Sequence, residues 1–162
     1  MAVIGIDPGT ALTGYGIVEE LPDQSLQVID FGVIRTDSTE KPEIRLRKIF
    51  SQLNEILSLH KPETGAVEKL FFQRNTRTAM SVGQARGVAI LSLAEAGISV
   101  SEYSPVEIKQ AVVGYGKASK NQVQQMVKTL LNLQEIPKPD DAADALAVAI
   151  CHIHSRKMLA LQ

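Results

Sequence analysis

The spacing of hydrophobic residues divides the chain into a strand-rich beginning and a longer part that mixes helices and strands. Apolar runs and two-residue alternation predict strands near residues 2–7, 13–20 and 26–35. Because only short turns separate them, these strands are expected to form an antiparallel meander. From Pro42 the spacing becomes helical, and one apolar stripe continues until just before Lys61.

Beyond the first helix, the pattern predicts alternating strands and helices. The predicted elements are a strand at 65–70, a helix from about Asn75 to Ala96, a strand from Ile98 to Tyr103, and helices ending near Val113, at 120–133 and at 140–157. The later strands can join the sheet only through right-handed helical crossovers, so they should run parallel to the first strand. We therefore expect an α/β fold with a five-stranded mixed sheet and helices on both faces.

Length and composition favour a single globular domain over residues 1–162. Hydrophobic residues make up 44% of the chain and charged residues 22%, which is typical of folded proteins. The apolar runs are too short to cross a membrane, and the first residues lack a basic leader. Cys151 is the single cysteine, so we expect a protein without internal disulfides that resides in the reducing cytoplasm.

The net charge of −1 conceals an uneven distribution along the chain. Residues 1–68 carry six basic and eleven acidic side chains, whereas residues 69–128 carry eight basic and three acidic ones. A basic middle segment beside acidic flanks suits a phosphate-binding face next to a cation-binding pocket. For any single lysine, an ordinary solvated surface position is a fair alternative.

Four acidic residues stand where predicted strands end or where a predicted helix begins: Asp7, Glu68, Asp141 and Asp144. If the first and fourth strands are adjacent and parallel, Asp7 and Glu68 lie at the same edge of the sheet, where α/β proteins bind ligands. Two carboxylates about 4 Å apart repel by roughly 4 kcal/mol at an effective dielectric constant near 20, so the pair requires cations. Asp141 and Asp144 are three residues apart and share one helix face. Together the four acids predict a divalent-metal site for phosphoryl chemistry.

Each acid also has a simpler explanation. Asp7 precedes Pro8 and Gly9, and aspartate is common at turns. The acids near the start of the last helix could only stabilise its N-terminus, and for Asp140 we prefer this interpretation.

Candidate nucleic-acid contacts follow Glu68 and surround the loop at 114–116: Phe71, Phe72, Arg74, Arg77, Lys109, Lys117 and Lys120. Adjacent side chains of a strand point to opposite faces, so one of the two phenylalanines is expected to be exposed, where it could stack on unpaired bases. A core position is an equal alternative for either ring alone. The lysines could stabilise negative charge on a phosphate. Ala111 and Ala118 depart from the P-loop pattern, which disfavours a nucleotide triphosphatase of that class.

The long helix near 75–96 carries a ridge of small residues at Ala79, Gly83 and Gly87. The ridge permits close packing either on the sheet or on a partner helix. Val82, Ile90 and Leu93 could then be buried against a second copy of the chain, so a two-fold dimer is a candidate arrangement.

The motifs of the chain resemble those of the RuvC family of bacterial Holliday junction resolvases. The matching stretches run in order from Gly5-Ile6-Asp7-Pro8-Gly9 through Val67-Glu68-Lys69-Leu70-Phe71 and Gly83-Gln84-Ala85-Arg86-Gly87 to Asp141-Ala142-Ala143-Asp144. The resemblance implies a ribonuclease H-like fold, a homodimer, and two Mg²⁺ ions, replaceable by Mn²⁺, held by Asp7, Glu68, Asp141 and Asp144. It also implies that Phe71 contacts bases, that Lys109 and Lys120 contact phosphates, and that the RuvA and RuvB branch-migration complex is a partner.

The implied activity is endonucleolytic resolution of four-way DNA junctions by paired, symmetric nicks that leave 5′-phosphate and 3′-hydroxyl ends. One alternative is a non-catalytic junction-binding scaffold. A second is an actin-like or sugar-kinase-like ATPase, because Gly5-Ile6-Asp7-Pro8-Gly9-Thr10 also resembles the first phosphate loop of that group. A third is a related nuclease that acts on structured RNA, since no side chain pattern identifies a reader of the 2′-hydroxyl.

Overall fold

The computed structural model describes residues 1–69 and 76–161, with side chains described from Thr78 onward in the second range. Its strands are β1 (Ala2–Asp7), β2 (Leu12–Glu20), β3 (Leu26–Arg35), β4 (Thr64–Glu68) and β5 (Ser99–Tyr103). Its helices are α1 (Pro42–His60), α2 (Thr76–Glu95), α3 (Pro105–Val113), α4 (Lys120–Leu130) and α5 (Asp140–Ala160). The predicted elements are confirmed, with boundaries that differ by a few residues. None of the described helices is both long and apolar enough to span a membrane.

The five strands form one mixed sheet in the order β3-β2-β1-β4-β5. The first three strands pair antiparallel, and β4 and β5 are parallel to β1. This is the predicted meander with two parallel strands added through the helical connections α1 and α2. The expected α/β, ribonuclease H-like architecture is confirmed.

Helices cover both faces of the sheet, and each face has its own core. On one face α1 and α2 pack on residues that include Ile4, Ile6 and Ile17. On the other face α3, α4 and α5 pack around Val3, Val18 and Ala66. Because neighbouring residues of a strand point to opposite faces, β1 contributes to both cores and is buried between them.

Helix α5 lies unusually close to the sheet because glycines lie beneath it. A Cβ atom at Gly5 would overlap main-chain atoms of Ala145 and Ala149, and one at Gly14 would overlap the main chain of Asp141. The alanines of α5 are small enough to permit this close approach. The glycines of β1 and β2 supply the other half of the contact, so main chain packs against main chain.

A buried histidine ties α5 to the two parallel strands. His152 is almost fully buried, and its ring nitrogens lie 3.0 Å from the Thr64 hydroxyl on β4 and 2.9 Å from the Tyr103 hydroxyl on β5. Burial, and secondarily the charge of Arg156, lowers the pKa of His152 to about 4. The ring is therefore neutral at pH 7 and acts as a structural hydrogen-bonding group.

The structure separates the inner and outer sides of α2. Ala85, Ala89 and Leu93 are buried in the core shared with α1, so Leu93 belongs to the interior and is not available to a second copy of the chain. Gly87 is exposed, and a Cβ atom there would meet no atom within 4 Å. The outward side of α2 is therefore exposed at Gly87, and the two-fold dimer stays a prediction.

Candidate functional site

The parallel pairing of β1 and β4 places Asp7 beside Glu68. Ile6 is the register partner of Val67, and Asp7 and Glu68 are the next residues on their strands. The two carboxyl groups share a hydrogen bond. The structure therefore brings these two acids to the same edge of the sheet, as the strand pattern had indicated.

Helix α5 brings the other two acids over the same edge. Gly14 permits the main chain at Asp141 to lie directly on β2, which carries the first turns of the helix to the end of β1. The charges of Glu68, Asp144 and Asp141 all contribute to the raised pKa of Asp7. The four predicted acids thus converge from β1, β4 and α5, although their role as metal ligands stays a prediction.

The convergence is electrostatically costly without cations. Burial, followed by the charge of Glu68, raises the pKa of Asp7 to about 9. Burial also raises the pKa of Glu68 and of Asp144, although Lys120 opposes the shift in both cases. Half-buried carboxylates resist losing their protons when other carboxylates lie close by.

Carboxylate oxygens suit a hard divalent cation, although the four acids are not arranged closely enough to form a complete metal site. Within residues 1–69 and 78–161, no three acidic, histidine or cysteine side chains are already gathered into a group that could hold a metal ion. The charges of Glu68, Asp144 and Asp141 nonetheless all act on Asp7, and carboxylate oxygens are the ligands that Mg²⁺ prefers. A divalent cation would offset their mutual repulsion, so the residues present fit such an ion.

Two of the predicted lysines border the acids. Lys109 of α3 and Lys120 of α4 line a cavity of about 210 Å³ together with Glu68 and Asp144. Both lysines lower the pKa of Glu68 through their charge. Lys117, in contrast, lies exposed in the loop between α3 and α4.

Asp140 is exposed and shares Lys120 with Asp144. Lys120 Nζ lies 3.1 Å from Asp140 Oδ2 and 3.5 Å from Asp144 Oδ2. Gln124 Nε2 donates a second hydrogen bond to Asp140 at 3.1 Å. Asp140 therefore joins the start of α5 to α4, and it also lies in the first turn of α5, where stabilisation of the helix N-terminus stays a prediction.

The remaining predicted nucleic-acid contacts cannot be placed. Phe71, Phe72, Arg74 and the side chain of Arg77 lie outside the described residues. Their roles stay predictions based on the family resemblance and on the position of the segment directly after Glu68.

Sequence reasoning missed three basic residues that border the acids. Lys69 and Arg86 line a cavity with Asp7 and Glu68, and Arg86 is ion-paired with Glu102. Arg45 of α1 lines another cavity together with Asp141. Arg86 stood within a recognised motif, but α1 showed only its apolar stripe, so no signal singled out Arg45.

Comparison with known proteins agrees with this architecture. The family model for the crossover junction endodeoxyribonuclease RuvC matches residues 3–152. A crossover junction endodeoxyribonuclease RuvC from Caldicellulosiruptor saccharolyticus is 51% identical over 162 residues, covering 100% of this chain and 98% of the relative. The relative of the same name from Heliobacterium modesticaldum is 56% identical over 155 residues, covering 96% of this chain and 95% of the relative.

Solved structures give the same result. The Thermus thermophilus RuvC structure has a TM-score of 0.90 and 38% sequence identity, covering 98% of this chain and 96% of that chain. T. thermophilus RuvC in complex with Holliday junction substrate has a TM-score of 0.89 and 35% identity at the same coverage. The family match spans most of the chain, and the relatives match it over nearly their whole length. The chain therefore belongs to the RuvC family of crossover junction endodeoxyribonucleases.

Proposed function

We propose that this chain is a structure-specific endonuclease that resolves four-way DNA junctions in recombination and repair by paired, symmetric nicks. The observation that carries the proposal is the convergence of Asp7, Glu68, Asp141 and Asp144 beside Lys109 and Lys120. Relatives at 51–56% identity carry the name crossover junction endodeoxyribonuclease, and a T. thermophilus relative was solved with a Holliday junction substrate. The products would be ligatable 5′-phosphate and 3′-hydroxyl ends.

Two Mg²⁺ ions, replaceable by Mn²⁺, would be held by Asp7, Glu68, Asp141 and Asp144. When bound, they would supply charge neutralisation, activation of an attacking water and stabilisation of the leaving oxygen. Asp7 and Glu68 stand at the ends of two paired strands, so the sheet fixes their positions. Helix α5 holds the other two acids opposite them. Such rigid placement favours an in-line reaction because little reorganisation is needed.

The lysines would bind the substrate backbone. Lys109 and Lys120 border the acids in one cavity, and their ammonium groups can hold a phosphate that the carboxylates would otherwise repel. We propose further contacts along the DNA strand from Lys117, Phe71, Phe72, Arg74 and Arg77. A phenylalanine in this segment could stack on a base unpaired at the crossover.

Asp7→Asn tests the proposal directly. The amide is a poor metal ligand, so Mg²⁺-dependent cleavage of a four-way junction should fall at least about 1000-fold. Binding of the junction should persist, because Asp7 is not among the basic side chains that are proposed to contact the phosphates. Single-turnover cleavage with and without Mg²⁺ and a mobility-shift assay measure the two effects.

Asp23→Asn, which changes an exposed acid in the loop after β2, is the matched control and should cleave normally. Normal Mg²⁺-dependent cleavage by Asp7→Asn would contradict the assignment. Binding without any cleavage by the unaltered protein would favour the non-catalytic scaffold. Preference for an RNA–DNA hybrid over the junction would favour a different nucleic-acid substrate, and a nucleotide-induced rise in Tm would favour the ATPase.

We also propose that the protein acts as a homodimer through the outward side of α2, and that residues 1–162 form one nuclease domain. Met80 and Leu91 are 76% and 51% exposed, and with Gln84 and Gly87 they follow the alternating four- and three-residue spacing of a helix–helix seam. Two sites related by a two-fold axis would suit symmetric nicking. Family membership supports RuvA and RuvB as partners, and the lone free Cys151 suits a reducing cytoplasm.

Leu91→Glu should weaken this dimer at least about tenfold, because each copy would then bury a charged side chain in the seam. Sedimentation equilibrium over a range of protein concentrations measures the change. Leu59→Glu is a matched control, since Leu59 is 76% exposed on α1. An unchanged dimer in the Leu91→Glu variant would place the interface elsewhere.

A further inference from the structure

A second cavity beside the acids contains an arginine that the sequence did not suggest. The cavity measures about 390 Å³ and is lined by residues that include Thr10, Arg45, Ser81 and Asp141. The cavity that holds Lys109 and Lys120 opens beside Asp144 instead. Asp141 and Asp144 are neighbours on one helix face. Each of them nevertheless borders a different cavity, and each cavity contains basic side chains.

Arg45 is anchored in its cavity by a chain of three hydrogen bonds. Its Nε donates to Thr36 Oγ1 at 2.8 Å, and the Thr36 hydroxyl donates to the Thr10 carbonyl at 2.6 Å. The Thr10 hydroxyl donates in turn to the Ser81 carbonyl at 2.9 Å. This chain ties α1 and the end of β3 to the turn that follows Asp7 and to α2, so the arginine is held in a defined place near the site.

Arg45 forms no ion pair within the part of the chain that the structure describes. Among the described residues Lys48 pairs with Glu40 and Arg86 with Glu102, but no carboxylate pairs with Arg45. The charge of Arg45 contributes to the lowered pKa of Asp37, and Asp37 Oδ1 accepts hydrogen bonds from the amide and hydroxyl of Thr39. Within the described ranges, the Arg45 guanidinium makes one hydrogen bond, from Nε to Thr36.

The terminal nitrogens of Arg45 are therefore left for an anion from outside the chain. A guanidinium presents its N–H groups as a planar fork that matches two oxygens of a phosphate. With Nε fixed on Thr36, the remaining edge is pre-organised and loses little side-chain entropy when a ligand binds. An arginine of this kind is better suited to phosphate than to a purely structural bond.

We propose that Arg45 binds a backbone phosphate of the junction on the Asp141 side of the acids, while Lys109 and Lys120 bind the backbone on the Asp144 side. The inference rests on the proposed function and adds a phosphate site to it. A strand that passes over the acid cluster would then meet positive charge before and after the reacting position. The two flanking contacts would offset repulsion by the carboxylates and fix the direction of the strand across α5.

The test compares Arg45→Gln with Arg47→Gln, an exposed arginine two residues away on the same helix. Junction binding is measured in EDTA, without cleavage, over a series of salt concentrations. Removing one contact between a basic side chain and a phosphate should reduce the slope of log K against log salt by about 0.9. Arg45→Gln should show this reduction and bind roughly tenfold more weakly, whereas Arg47→Gln should keep the slope of the unaltered protein.

Thr36→Val separates phosphate binding from a structural role. This variant removes the same Nε bond but keeps the positive charge, so its salt slope should match that of the unaltered protein. The inference would be overturned if Arg45→Gln left the salt slope unchanged, or if Thr36→Val reduced the salt slope as much as Arg45→Gln does. Either result would leave the proposed function intact. Failure of the unaltered protein to bind the junction would overturn both.

Discussion

The two faces of the sheet are packed in different ways, although the same strand supplies residues to both. On the α1 and α2 face, β1 presents Ile4 and Ile6, whose side chains meet the side chains of the helices. On the α5 face it presents Val3, then Gly5 and finally Asp7, and the helix main chain lies directly on the strand at Gly5. A layer of side chains can adjust to small changes, but contact between two main chains leaves no such freedom.

This difference explains why the site is on the α5 face. A helix separated from the sheet by isoleucine and leucine side chains would hold its own acids too far from the strand ends to share a ligand. Gly5 and Gly14 remove that separation, so Asp141 and Asp144 reach the edge where β1 and β4 end. The consequence is a low tolerance to substitution, because the same close contact that forms the site cannot accept added atoms.

The largest expected effect on stability comes from a methyl group added on the α5 face of the sheet. The same change on the other face provides the comparison. Gly5→Ala should lower the free energy of unfolding by about 3 kcal/mol or more, because its Cβ would overlap the main chain of α5. Gly65→Ala on the other face should lower the free energy of unfolding by about 1 kcal/mol or less. Its Cβ would lie 3.1 Å from Leu93 Cδ2 and 3.2 Å from Ile4 Cγ2, and these side-chain ends can move. Urea unfolding measures both changes.

Equal destabilisation by the two alanines would contradict the comparison of the faces. If Gly5→Ala folds, its cleavage of junctions sharpens the test. The helix can relieve the overlap only by moving outward, which carries Asp141 and Asp144 away from Asp7. Cleavage should then fall in Gly5→Ala even at temperatures where the variant is fully folded, whereas Gly65→Ala should cleave at a normal rate.

An intermediate effect is expected from the pH dependence of the acid cluster. The pKa of Asp7 is raised from 3.8 to about 9, so between these values the unfolded chain has lost a proton that the folded protein keeps. Stability in EDTA should therefore fall as the pH rises across this range. Asp7→Asn removes the titrating group, so its Tm should exceed that of the unaltered protein by several degrees at pH 8 and by less at pH 5.

Asp23→Asn provides the reference for this measurement, because Asp23 is exposed and its pKa is lowered by the hydroxyl and amide of Ser25. It should leave the slope of Tm against pH between 5 and 8 unchanged. Parallel slopes for Asp7→Asn and the unaltered protein would show that the acids are not in electrostatic contact in the folded state.

Much of the fold and part of the site could be predicted from the sequence. Alternation in β1 to β3 and the helical stripe of α1 are local signals, and the register of two parallel strands brings Asp7 to Glu68. The functions of Gly5 and Gly14 could not be predicted, because the helix that contacts them lies more than a hundred residues later in the chain. The inner side of α2 was ambiguous because small residues occur on both of its sides. Arg45 gave no signal because its neighbour Asp141 is distant in sequence, although its hydrogen-bond partner Thr36 is only nine residues away.

The smallest expected effect concerns Asp140, which shares the first turn of α5 with Asp141 but does not face the sheet. Its carboxylate contacts Lys120 and Gln124, and it is exposed, so the contact is open to solvent and screened by salt. Asp140→Asn should reduce single-turnover cleavage by at most about fivefold, with the reduction shrinking as salt is added. Asp144→Asn, one turn further along the face that meets the sheet, should instead lose cleavage to the same extent as Asp7→Asn. A loss of that size in Asp140→Asn would mean that closeness to the sheet is not what distinguishes the acids of α5.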